Sequence, residues 1–122
     1  MIVELLPGMA DESPVYQGIV ALSPDREYVV LEVYCQGGGP SYFRIEHDPA
    51  EAPALFDARA FRMVSGALPS SWTAFLYGDG SVKFCPLSWQ VADFWQAYLD
   101  RESWAVEAYG AERVRILAGE RG

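Results

Sequence analysis

Residues Ser71–Tyr98 read SWTAFLYGDGSVKFCPLSWQVADFWQAY and hold three of the four tryptophans of the chain. Asp79 and Gly80 stand between two runs rich in apolar and aromatic residues. Asp-Gly at such a place is the strongest short signal for a β-hairpin, because a tight type I′ turn needs positive φ at both central residues. The pattern predicts strands over 72–77 and 81–85 joined by that turn.

An amphipathic helix is predicted directly after the hairpin, with Ser88 as its N-cap and its end near Leu99. A second helix is predicted over 101–118, but Gly110 is a poor helix former and residues 112–116 (ERVRI) alternate like a strand. The sequence therefore leaves helix and strand open for residues 112–117. The predicted apolar stripe of the first helix consists of Val91, Phe94, Trp95, Tyr98 and Leu99. That of the second consists of Val106, Gly110, Val114 and Leu117.

The chain before the hairpin reads as short strands separated by turn residues. Residues 27–35 (EYVVLEVYC) alternate most clearly and are predicted to form one continuous strand. Asp48-Pro49-Ala50-Glu51 is typical of a helix start, since aspartate can cap and proline suits the first helical position, which predicts one or two helical turns over 54–59. The predicted strands are 2–6, 15–22, 27–35, 41–46 and 61–64, with a loop over 66–71.

Strands followed by helices are typical of an α+β fold. We therefore predict an antiparallel sheet of about five to seven strands with the C-terminal helices packed on one face. The length of 122 residues favours a single domain over 1–122. The aromatic stripe of the first helix is the natural cover for the sheet.

The N-terminus, the apolar stretches and the cysteines bear on the cellular compartment of the protein. The N-terminus lacks a basic signal region, and no stretch approaches the length of a membrane span. Cys35 and Cys85 lie in apolar, strand-like segments and are predicted to be reduced and buried. These observations favour a cytoplasmic protein.

The net charge of −8 is unevenly placed. Residues 1–57 carry ten acids and two bases, whereas residues 58–122 carry seven of each. An acidic field repels nucleic acid and anionic membranes and speeds the encounter with a basic protein. The charge therefore excludes nucleic acid and membrane as expected partners and favours a basic protein, although solubility is an alternative reason for it.

No catalytic constellation is evident in the sequence. His47 lies between two acids at a strand end, and no serine or cysteine nucleophile is specified beside it. The two cysteines and the histidine lack the close pairs of a zinc site, and Gly37–Gly39 is followed by Pro40 and a strand rather than by a phosphate-binding helix. We expect no enzymatic activity, no catalytic residue, no metal and no cofactor.

A family resemblance rests on residues 68–98, which run LPSSW, GDGS, PLSW and FWQAY, and on the small, acidic, α+β character of the chain. In these features the chain resembles the immunity proteins of bacterial polymorphic-toxin and contact-dependent inhibition systems. The resemblance implies a cytoplasmic inhibitor that binds one toxin domain, often a nuclease with a basic active-site cleft.

Such an inhibitor is expected to cover the basic cleft with an acidic surface. Two other functions stay open: a small-ligand-binding protein or enzyme with a pocket between the sheet and the aromatic helix, and a structural or adaptor subunit. The chain is expected to be a monomer or a homodimer, the latter through an exposed sheet edge. The predicted partner-binding residues are Asp11, Glu12, Glu32, Tyr34, Tyr42, Glu46, Asp48 and Glu51.

Overall fold

The structure is a computed structural model that describes residues 1–7 and 22–121. Asp11, Glu12 and the predicted strand over 15–22, apart from Leu22, lie outside the described residues. The described strands are β1 (Ile2–Leu5), β2 (Glu27–Val29), β3 (Glu32–Cys35), β4 (Ser41–Ile45), β5 (Ala54–Asp57), β6 (Phe61–Ser65), β7 (Trp72–Leu76) and β8 (Val82–Pro86). The helices are α1 (Phe94–Leu99) and α2 (Ser103–Arg121), with 3-10 turns at Ala58–Ala60 and Leu87–Trp89.

The α+β class is confirmed, but the described strands form two antiparallel sheets instead of one. The first sheet has the order β2-β1-β6, and the second has the order β5-β4-β3-β8-β7. Phe43 and Phe56, from adjacent strands of the five-stranded sheet, pack against Phe61 of the three-stranded sheet, with ring centroids 5.8 and 6.5 Å apart. The two sheets therefore share a core.

The predicted continuous strand over 27–35 is wrong, because the chain changes sheets in its middle. The amide of Val30 donates to the Met1 carbonyl at 3.0 Å, and the next amide, of Leu31, donates to the Arg44 carbonyl at 2.9 Å. Val30, Leu31, Glu32 and Val33 are four consecutive buried residues. A flat strand buries alternate residues on one face, so this run requires a position where both faces are covered.

The predicted helical turns over 54–59 are also wrong. Residues Ala54–Asp57 form β5, paired antiparallel with β4, and a 3-10 turn follows. Asp48 closes only a tight turn, in which its carbonyl accepts from the Glu51 amide at 2.9 Å. A one-turn helix has little intrinsic stability, whereas pairing with β4 satisfies the backbone and buries Phe56.

The hairpin is confirmed, but its turn type differs from the prediction. Of the two predicted turn residues, Asp79 and Gly80, only Gly80 has positive φ, at 91°. The Gly80 amide donates to the Tyr77 carbonyl at 3.1 Å, and the Tyr77 amide donates to the Ser81 carbonyl at 2.8 Å. This is a three-residue loop over 78–80 with glycine in the left-handed position, which is the next most common hairpin geometry after the two-residue turns.

The first predicted helix ends where expected but begins at Phe94 rather than after Ser88. Asp93 has φ of 62°, which interrupts any helix running from the 3-10 turn. Val91 and Leu99 of the predicted stripe are exposed, whereas Phe94 is buried and Trp95 and Tyr98 are half-buried. The short helix therefore buries a narrower stripe than predicted.

The second helix is confirmed, and residues 112–117 are helical. Its predicted stripe is wrong at Val114, which is exposed. The buried positions are instead Ala105, Tyr109 and Ile116. Tyr109 and the residues of α1 form one aromatic cluster around Trp89. No helix within 1–7 and 22–121 combines the length and the hydropathy that crossing a membrane requires.

Candidate functional site

Glu32 was predicted to contact a partner, but the structure buries it. The residue is 1% exposed, and its carboxylate accepts from Arg44 Nε at 2.8 Å and from Trp95 Nε1 at 3.3 Å. The Nζ atom of Lys83 lies 4.0 Å from the same carboxylate. The strand register places Arg44 opposite Glu32, and α1 lays Trp95 over both. Glu32 therefore organises an internal charge network and presents no charge to a partner.

Glu46, another predicted partner-binding residue, is engaged by side chains of the same chain. Its carboxylate accepts from Tyr109 Oη at 2.7 Å and from Arg113 Nε and Nη2 at 2.9 and 2.7 Å. Burial by itself raises the pKa of Glu46, but the hydrogen bonds from Arg113 and Tyr109 and the charge of Arg113 outweigh it and hold this pKa below 4.5. Burial and the Glu46 carboxylate raise the pKa of Tyr109. An arginine of the C-terminal half thus neutralises Glu46.

This ion pair has a testable consequence for acid stability. Because the pKa of Glu46 is lowered in the folded protein, its stabilising effect is complete above the ordinary value of 4.5 and is lost as the pH falls through the folded value. We expect Arg113→Met to destabilise the protein most at neutral pH, and the gap to wild type to shrink towards about pH 3. The measurement is the free energy of unfolding from urea titrations across that range.

The matched control for this prediction is Arg101→Met, which removes an exposed guanidinium at the corner between α1 and α2. Its difference from wild type should stay small and flat with pH. A gap for Arg113→Met that is as large at about pH 3 as at neutral pH would show that Glu46 does not titrate as argued.

The remaining predicted partner-binding residues lie in two places. Asp48 and Glu51 are exposed in the turn between β4 and β5, where Glu51 Oε2 lies 3.0 Å from His47 Nε2. Tyr34 and Tyr42 are half-buried and face each other across β3 and β4, and Tyr34 also packs edge-on against Tyr77 at 6.1 Å. The structure therefore does not unite these four with Glu32 and Glu46 into one acidic surface.

The two cysteines and the histidine occupy different environments. Cys85 is fully buried, and burial together with the charge of Glu32 raises its pKa to about 12, so the thiolate is disfavoured. Cys35 is a half-buried free thiol, and the His47 ring packs edge-on against Phe56 at 6.2 Å. Within the described residues, no three His, Cys, Asp or Glu side chains group as metal ligands.

A largely apolar groove lies between α1 and the hairpin strands β7 and β8, and we call it the aromatic groove. It encloses about 440 Å³, and a neighbouring hollow of about 180 Å³ shares Tyr77, Lys83 and Trp95 with it. Phe75 packs against Tyr77 with ring centroids 4.9 Å apart. The aromatic groove is lined by Phe75, Tyr77, Lys83, Gln90, Val91, Ala92, Asp93, Phe94, Trp95 and Gln96.

Local sequence positions each wall of the aromatic groove. Alternation along β7 and β8 places Phe75 and Lys83 opposite each other on one face of the sheet. Gln90 ties the segment before α1 to the hairpin, since its Nε2 donates to the carbonyl oxygens of Thr73 and Cys85 at 2.9 and 3.1 Å. The positive φ of Asp93 then turns α1 so that Trp95 lies over the network around Glu32.

Lys83 forms the floor of the groove and was missed at the sequence level. It is 9% exposed, its Nζ donates to the Trp89 carbonyl at 3.5 Å, and it lies 6.0 Å from the Tyr77 ring centroid. A signal was present, because Lys83 is the only lysine in the chain and it sits between apolar residues at an inward position of the hairpin. A charge at such a position indicates a buried partner, which here is Glu32.

One exposed carboxylate lines the groove, and a second lies in the hairpin turn, close in sequence to a lining residue. Asp93 lines the groove directly, and Asp79 stands in the exposed turn two residues after Tyr77. The Ser81 amide donates to Asp79 Oδ1 at 2.9 Å, and this bond lowers the pKa of Asp79, which keeps the carboxylate charged. The groove thus combines apolar walls with one exposed carboxylate in its lining, that of Asp93.

Comparison with known proteins adds no family to this geometry: no family model, curated protein or solved structure matches the chain.

Proposed function

We propose that the chain is an immunity protein: a cytoplasmic inhibitor that binds and neutralises one toxin domain of a bacterial polymorphic-toxin system. The observation that carries the proposal is the aromatic groove, where apolar walls stand beside the exposed carboxylate of Asp93. Protein interfaces combine an aromatic, apolar centre with a polar rim. The groove has that composition, and the burial of Cys85 disfavours a reactive thiolate there.

The groove supplies the residue types on which binding energy concentrates. Trp95 and Tyr77 are half-buried, and Phe75 is exposed, so all three have surface left to bury against a partner. Tryptophan and tyrosine are enriched among the residues whose truncation weakens complexes most. Val91 adds an exposed aliphatic wall. The proposed docking surface is therefore apolar at its centre, which differs from the acidic surface that the sequence predicted.

Charge supports a basic partner such as a nuclease. Among the described residues, nine carboxylate side chains are exposed against five guanidinium groups. Such an excess, together with the net charge of −8, accelerates the approach of a basic domain. This attraction weakens at high salt, because ions screen it. Asp93 is the carboxylate in the lining of the groove, and Asp79 follows the lining residue Tyr77 by two positions in the sequence. In this proposal the acids steer the partner, and the aromatic groove holds it.

Co-expression in a heterologous bacterium tests the proposal. The proposal predicts that a large secreted protein is encoded beside the gene for this chain, and the C-terminal domain of that protein is the toxin domain to use. Wild-type chain is expected to restore growth, and Val91→Arg is expected to lose protection, because a long cation would fill the groove and repel a basic partner. Viable-cell counts measure protection, and calorimetry measures a dissociation constant that should rise by about tenfold or more.

The matched control is Val114→Arg, the same change at a valine of α2 outside the groove. The two valines are similarly exposed, at 53% for Val91 and 62% for Val114, so both variants should fold alike. Val114→Arg is expected to protect as well as wild type. The proposal is contradicted if wild type leaves the toxin domain active, or if the Val91 and Val114 variants protect equally.

A small-ligand-binding function is the second candidate, and the volume of the groove favours it. About 440 Å³ falls within the range of ligand pockets, and the pocket lies between the sheet and the aromatic helix. In that case, small molecules from a fragment library should raise the melting temperature of wild type and fail to do so for Val91→Arg, while neither valine variant changes protection against the toxin domain.

A further inference from the structure

Four strands lie at the edges of the two described sheets: β2, β5, β6 and β7. Exposed edges invite pairing with another chain, and proteins commonly block them with charged residues, prolines or bulges. β2 contains Glu27, β5 follows Pro53 and ends at Asp57, and β6 contains Arg62 beside the irregular register of β1. β7, with the sequence WTAFL, has none of these features.

The unprotected edge extends beyond β7 itself. Residues 63–78 carry no charged side chain, which makes them the longest uncharged segment of the chain. Four of the five residues of β7 are exposed, and Leu76 is 71% exposed. The β7 edge is therefore uncharged, although the chain as a whole has a net charge of −8.

The hydrogen-bonding direction of β7 follows from the hairpin. The Tyr77 amide donates to the carbonyl of Ser81, the residue directly before β8. Backbone hydrogen-bonding groups alternate in direction along a strand, so those of Phe75 and Thr73 also point towards β8. Those of Ala74 and Leu76 therefore point away from it. Within residues 1–7 and 22–121, no strand pairs with that outer side.

We propose that two copies of this chain associate through antiparallel pairing of β7 with β7, centred on Ala74. In this register, Ala74 of each copy exchanges two backbone hydrogen bonds with Ala74 of the other, and Leu76 lies opposite Trp72. The turn carrying Asp79 then lies beside the uncharged residues Pro69 and Ser70 of the other copy. No like charges meet at the edge.

The lack of charge at the β7 edge favours pairing with β7 of a second copy over pairing with a basic strand of another protein. A basic strand would gain nothing from an edge that offers no carboxylate, whereas an identical uncharged strand is complementary in both backbone and side chains. Antiparallel pairing about a two-fold axis joins the five-stranded sheets and leaves the two aromatic grooves on the same face. The pairing is thus independent of the proposed function and compatible with it.

Sedimentation analysis of the purified full chain at rising concentration tests the pairing. Wild type should shift from 13.5 kDa towards twice that mass, and the shift should strengthen with salt, because screening reduces repulsion between two acidic copies. Binding of a basic toxin domain has the opposite salt dependence, so the two associations are distinguishable.

Two variants aim at the edge without touching the β7–β8 ladder. Leu76→Lys places a cation in the pairing strand, and Ala74→Pro removes an outward amide, which an edge strand tolerates. Each should raise the dimer dissociation constant by about tenfold or more. The matched control, Met63→Lys on the edge strand β6, changes a residue that is 49% exposed and should leave dimerisation unchanged.

Circular dichroism of each variant verifies that it is folded, and Leu76→Lys alone decides the matter if Ala74→Pro unfolds. A wild-type chain that stays monomeric at every salt and protein concentration overturns the pairing. A dimer that persists in Leu76→Lys, or that Met63→Lys abolishes equally, also overturns it, because the interface then lies elsewhere.

Discussion

Replacing Glu32 by alanine is expected to lower the free energy of unfolding by about 3–5 kcal/mol. The carboxylate lies between two cations, with Arg44 Nε at 2.8 Å and Lys83 Nζ at 4.0 Å. The exposed fractions of these two side chains are only 13% and 11%, so water cannot replace the lost anion. The variant leaves two neighbouring cations half-desolvated and mutually repulsive. Urea denaturation followed by far-ultraviolet circular dichroism measures the loss.

Two further variants test whether the loss comes from unpaired charge. Glu51→Ala makes the same chemical change at an exposed carboxylate and should alter stability by no more than about 0.5 kcal/mol. The triple variant Glu32→Met, Arg44→Leu, Lys83→Met replaces the network with apolar groups and should recover most of the stability lost in Glu32→Ala. If Glu32→Ala costs less than about 1 kcal/mol, the network is not the buried ion cluster described above.

Replacing Trp89 by alanine should have a comparably large effect, with a loss of about 3–5 kcal/mol. Trp89 has no exposed surface, and its ring stacks on Phe94 and Tyr109 with centroids 6.0 and 5.4 Å away. Its Nε1 donates to the Ala108 carbonyl at 3.1 Å, which joins the 3-10 turn to α2. The change removes this bond and leaves a cavity where both helices meet the sheet. A loss of this size is a large part of the total stability of a small domain.

The matched control for Trp89 is Trp104→Ala, at the start of α2. Trp104 is 44% exposed, and its ring packs against Phe94 of the cluster at a centroid distance of 6.0 Å. Its removal should cost about 1 kcal/mol or less, and the aromatic circular dichroism of the cluster should persist. Equal losses in the two variants would mean that the cluster does not centre on Trp89.

The residues around the hairpin show which expectations local sequence supports. The Asp79-Gly80 pair placed the turn correctly, because only a glycine adopts the φ of 91° found at Gly80 at little cost. The same pair did not determine the loop length, since two-residue and three-residue hairpin loops share this sequence. The aromatic stripe likewise placed the end of α1, but its start depended on Asp93 and on the bonds of Gln90 to β7 and β8.

The candidate site shows the opposite case. Glu32 and Glu46 read as surface acids beside aromatic residues, yet both are bound by side chains distant in sequence. Trp95 lies 63 residues after Glu32, and Arg113 lies 67 residues after Glu46. Counting charges along the chain does not identify such partners, so the predicted acidic surface lost two of its members. A pocket between the sheet and the aromatic helix was expected for the ligand-binding alternative, but its lining residues were not predicted.

The sequence by itself determined the α+β class, the hairpin, the long C-terminal helix and the excess of negative charge. Each of these follows from a local cause: turn chemistry, alternation, helical spacing or composition. Only the tertiary structure decided that residues 27–35 serve two sheets, that 54–57 pair with β4, and which carboxylates reach solvent. Those outcomes depend on burial against distant segments, whose free energy exceeds the weak preferences of a short segment for helix or strand.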